Sequence, residues 1–68
     1  MTGFAERTQR HIQVLRDMLL TEYRESLPGA LAAADGALAA GDSVRHQECV
    51  QRVEWLRERI AEAEARAA

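Results

Sequence analysis

The sequence predicts an all-α fold: a small antiparallel helical bundle or hairpin of three helical segments, at about 3–27, 29–40 and 43–66, completed by dimerisation. Three observations carry this expectation. Cys49, Val53, Leu56, Ile60, Ala63 and Ala67 recur at alternating steps of four and three, the spacing of one helix face laid along a partner. Glycine and proline are confined to a few places and leave long stretches without a helix breaker. Finally, the chain has 68 residues and one cysteine, so no internal disulfide can staple it. A domain this small seldom draws more than about 3–5 kcal/mol from its own core. Apolar residues make up 47% of the chain but aromatics only 4%, and alanine, which carries much of that total, favours helix while burying little area. A thin core without staples calls for a second chain.

The first segment contains neither glycine nor proline between Gly3 and Pro28. On a helical wheel Ile12, Leu15, Leu19, Tyr23, Leu27 and Phe4 share one face, and His11, Met18 and Leu20 widen it to roughly 200°, with Val14 further round. A stripe this broad suits a helix touched by two neighbours. Ser26-Leu27-Pro28-Gly29 is expected to end it, because proline cannot continue a helix yet suits the first turn of a new one. The second segment is alanine-rich, with Leu31, Ala34 and Leu38 on one edge and Asp35-Gly36 weakening its middle. Gly41 then fits the residue just past a helix end, and Asp42 or Ser43 the cap of the next helix. In the alternative hairpin, Gly41-Asp42 is only a kink, and the second and third segments form one long arm. In both versions Ile12, Leu15, Leu19 and Tyr23 pack on Val53, Leu56 and Ile60 within a single domain, 1–68, whose tail from Ala63 to Ala68 frays.

The third segment has no glycine or proline and carries the seam, flanked by His46 and Val50. Trp55, the sole tryptophan, lies about 160–200° round the helix from Val53. Beside it run Val44, Glu48, Arg52, Arg59 and Glu62. Tryptophan and arginine are enriched where proteins bind one another; the competing reading packs Trp55 against the first or second segment of its own chain, or stacks it with Arg52 or Arg59 as a surface cation–π pair.

Few kinds of chemistry fit. His46 and Cys49 share a helix face, but zinc needs three or four ligands, and Cys49 on a packing seam is poorly placed for an activated thiolate. Carboxylates stand on outer faces among arginines, and there is no glycine-rich phosphate loop. No catalytic, metal-ligating or cofactor-binding residue is assigned, and no small-molecule substrate is expected. All nine basic residues are arginine, a bias of GC-rich codons that points to a small bacterial or phage protein. Phe4-Ala5 is followed at once by Glu6 and Arg7, so no secretory leader is expected. No apolar run approaches the roughly 20 residues of a membrane span, and a lone thiol suits the cytoplasm.

The expected function is therefore a non-enzymatic helical interaction module that homodimerises and docks on a partner protein as a small adaptor or regulator. Its interaction residues are Trp55, Arg52, Arg59, Val44, Met18 and Val14. The alternative is a small nucleic-acid-binding regulator using the stripe of Arg45, Arg52 and Arg59, which recur every seven residues. A net charge of −2 and the bordering Glu48 and Glu62 weigh against it.

Overall fold

The structure, a computed structural model, describes residues 2–67; of Thr2, Phe4 and Ala67 it describes the backbone alone. The side chain of Phe4, expected on the first apolar stripe, and that of Ala67, expected to close the seam, lie outside the described residues, as does Ala68 in the tail expected to fray. Two helices form an antiparallel hairpin, α1 (Thr2–Ala39) and α2 (Ser43–Ala67).

The turn between them follows from three residues. Gly41 takes φ +72°, a left-handed conformation that costs glycine little and other residues more. Gly41 N–H donates to the Leu38 carbonyl at 3.1 Å and Asp42 N–H to the Ala37 carbonyl at 3.0 Å, so two of the orphan carbonyls at the end of α1 are satisfied. Asp42 then caps α2: its side chain accepts from Arg45 N–H at 3.1 Å, and its carbonyl accepts the first helical bond from His46 at 2.9 Å. The stop and the start expected at Gly41-Asp42-Ser43 are both present.

The expected break at Pro28 is not. The segments expected at 3–27 and 29–40 are merged into one helix, Thr2–Ala39, with Pro28 inside it, and the long arm is the first one, not the union of the second and third segments. Pro28 offers no N–H to the Arg24 carbonyl, and a proline in a helix interior costs about 3 kcal/mol. Packing explains why the helix continues. Leu20, Tyr23, Leu27, Ala30, Ala34 and Ala37 recur at steps of three and four straight through Pro28, and each is buried or half-buried. Opposite them on α2, His46, Cys49, Val53, Leu56, Ile60 and Ala63 are likewise buried or half-buried. A break at Pro28 would throw the two halves of the α1 row out of line with an unbroken α2.

The core is as thin as the composition implied. Only Ala34, Ala37, Val53 and Leu56 are fully buried among the described residues, with Leu56 at 1% exposure. The α1 row is small from Ala30 to Ala37, where His46 of α2 bonds the Ala34 carbonyl, and large from Leu20 to Leu27, where Tyr23 meets Trp55. Ile12, Leu15 and Leu19, expected to fill this core, do not; nor do Leu31 and Leu38, which stand exposed beside the packed alanines.

The molecule is a rod of 60 × 16 × 15 Å. α1 has 38 residues and α2 has 25, so about thirteen residues of α1, some 20 Å, reach past the end of α2. Arg16 and Leu19 share a cleft with Ala63 and Arg66, which marks where the covered part of α1 ends.

Replacing Pro28 by alanine returns a donor to the Arg24 carbonyl, and the hairpin is expected to gain about 1–3 kcal/mol in urea unfolding. Gly41→Ala, at a positive φ, is expected to lose about 1 kcal/mol in the same measurement. A loss of stability in Pro28→Ala would show that the packing of α1 on α2 requires the proline's geometry and does not merely tolerate it.

Candidate interaction face

Going toward the N-terminus, the packed row of α1 continues at the same steps as Arg16, Gln13, Gln9 and Glu6. It turns polar where α2 ends. The apolar residues of this half lie elsewhere. Ile12, Leu15 and Leu19 form a second row about 100° round the helix, widened by Met18 and Val14, and these five are 42–56% exposed. Val14 and Met18 line a shallow, open cleft with Asp17, Thr21 and Glu22. Two of the six residues singled out from the sequence, Val14 and Met18, therefore belong to a stripe that α2 does not cover.

Trp55 is 44% exposed and stands off the α2 seam. It is not isolated. Its ring meets Tyr23 of α1 edge-to-face, with centroids 5.6 Å apart and planes at 85°, a favoured aromatic geometry. The guanidinium carbons of Arg52 and Arg59 each lie 5.9 Å from the ring centroid, within cation–π reach. These arginines are one turn before and one turn after Trp55, as the i−3 and i+4 spacing dictates. Arg59 also pairs with Glu62 at 2.9 Å, while its Nε is shut off from solvent without a hydrogen-bond partner. Trp55, Arg52 and Arg59 thus form one cluster, joined to α1 through Tyr23. Leu19, Tyr23 and Arg59 line a common cleft, so the cluster and the uncovered stripe adjoin on one side of the hairpin. Val44 is apart: it is exposed, eleven residues and about 16 Å up α2 from Trp55.

Sequence reasoning missed Tyr23 as the ring partner of Trp55, and the contact across the seam made by His46. The Nδ1 of His46 lies 3.0 Å from the Ala34 carbonyl oxygen. A carbonyl only accepts, so this nitrogen donates. The bond ties the first turn of α2 to α1 across buried Ala34. Arg24 and Glu64, 2.8 Å apart and both over half exposed, add well under 1 kcal/mol at the other end.

His46 and Cys49, adjacent on one helix face, are both half-buried at the seam. Among the described residues no group of three or more His, Cys, Asp or Glu side chains gathers to hold a metal, and no helix is long and apolar enough to cross a membrane. No protein-family model, curated protein or solved structure matches the chain.

A double-mutant cycle of Tyr23→Leu and Trp55→Leu, read by urea unfolding at fixed chain concentration, is expected to give a coupling of about 0.5–1.5 kcal/mol. Strict additivity would mean that the ring contact contributes nothing.

Proposed function

We propose that this chain is a non-enzymatic helical interaction module, which self-associates and docks as a small adaptor or regulator on a partner protein in the cytoplasm. The observation that supports this is the uncovered apolar stripe of α1. Five large or medium apolar side chains stand half in water along the part of the helix that α2 reaches barely or not at all. The dimensions agree. The Cα radius of gyration is 16.8 Å, against about 11 Å for a compact chain of this length. The accessible surface is 5519 Å², about 1,200 Å² more than a compact protein of this mass exposes. A standard interface covers roughly 800 Å² per partner, so one such interface would take up most of the excess.

The energetics set the expected strength. Burying the five half-exposed residues in each of two copies contributes on the order of 10 kcal/mol. Association costs roughly 4–15 kcal/mol in lost freedom. The balance is a modest, concentration-dependent dimer. Trp55 adjoins the stripe, and its rigid ring and flanking arginines supply an anchor of the kind found at interface centres.

Light scattering over a concentration series is expected to show a rise from the 7.6 kDa monomer toward twice that mass. A single monomeric species at every concentration would remove self-association. Trp55→Ala is expected to weaken association about tenfold while leaving the helical circular-dichroism signal unchanged. Equal dissociation constants for the two proteins would take Trp55 out of the interface.

A further inference from the structure

Taking self-association as the premise, we infer that the occupant of the uncovered stripe is the same stripe of a second copy, running antiparallel, with the two-fold axis passing near Leu15. The stripe is centred there: Ile12 and Leu19 lie on either side of Leu15 on the same row, and His11 and Met18 flank it on the neighbouring one. Antiparallel pairing sets Ile12 and His11 of each copy against Leu19 and Met18 of the other, so the contact around Leu15 is apolar apart from the His11 ring. A two-fold interface must be complementary to itself, and that requirement decides the direction.

The charges bordering the stripe are what make it self-complementary in only one direction. Arg7 lies at its N-terminal end, eight residues before Leu15; Glu22 and Glu25 lie at its C-terminal end, seven and ten residues after it. All three project within about 80° of the stripe's centre on the helical wheel. All three are exposed, and none forms an ion pair among the described residues. Antiparallel pairing about Leu15 brings Arg7 of each copy beside Glu22 and Glu25 of the other, and the symmetry makes that contact twice. Parallel pairing would set Arg7 against Arg7 and the glutamates against one another, which is unfavourable.

The overhang fits this register. In each copy the thirteen or so residues of α1 past the end of α2 would lie along residues 16–28 of the other copy's α1, where that copy's own α2 stands alongside. Each cross-section then holds three helices in place of one bare helix. The overhang of one copy also comes alongside the face that carries Trp55 in the other.

The register is tested by distance and by charge. A Cβ at Gly29 meets nothing within 4 Å, so Gly29→Cys accepts a spin label, and Cys49→Ala removes the competing seam thiol. With the axis near Leu15, the two labels in a dimer are expected about 40 Å apart, whereas parallel helices would bring them within about 20 Å. Arg7→Glu is expected to weaken association about tenfold at low salt. Adding Glu22→Arg and Glu25→Arg to it is expected to restore the wild-type constant to within about twofold. A dimer with labels inside 20 Å, or one indifferent to Arg7→Glu, would overturn the antiparallel register and leave self-association standing. A chain that stays monomeric would remove both.

Discussion

The structure depends on α2 acting as a splint. Its seam, from His46 to Ala63, lies along one unbroken row of α1, from Leu20 to Ala37. That contact keeps a helix continuous through Pro28, where local preference alone would end it. The Gly41 turn and the Asp42 cap set the direction in which α2 returns, and the bond from His46 to the Ala34 carbonyl fastens its first turn. The narrowness of the α1 row matters too. Alanines at 30, 34 and 37 let the helices lie close near the turn, and Val53 and Leu56 are the most buried side chains of α2.

A splint of 25 residues cannot cover a helix of 38. What remains bare is not an ordinary solvated end. Ile12 and Val14 stand on it, and Leu15, Met18 and Leu19 continue the same stripe to where α2 begins to cover the helix, all five 42–56% exposed. One helix therefore carries two different faces. The row from Leu20 to Ala37 packs on α2 and folds the hairpin, and the row of Ile12, Leu15 and Leu19 stands half exposed. Trp55 touches Tyr23 of the packed row while remaining half open, and its neighbours Tyr23 and Arg59 line a cleft with Leu19.

Much of α2 was legible from its own residues. The contrast between seam and solvent face is sharp there, and Gly41-Asp42-Ser43 supplies the residues for both a stop and a start, although a kink in one long arm is the competing reading. Pro28 was misread because its local rule was weighed alone, while the row that overrides it is visible only once α2 is laid against it. The faces of α1 were misread for a related reason. A helical wheel shows where apolar residues gather, and the bulkiest gather at Ile12, Leu15 and Leu19; it does not show which of two stripes a short partner helix can reach. Alanine gives little signal by hydropathy, yet it marks the packed face. The six interaction residues divide accordingly: Trp55, Arg52 and Arg59 form one cluster, Met18 and Val14 lie on the bare stripe, and Val44 is remote from both.

The central claim is that the uncovered N-terminal third of α1 is completed by another chain. Amide hydrogen exchange, read residue by residue in dilute and in concentrated solution, tests it most directly. Amides of residues 5–14 are expected to exchange almost freely when dilute and to become protected as concentration rises, while amides near Ala34 and Leu56 stay protected throughout. Exchange in residues 5–14 that is the same at both concentrations would contradict the account.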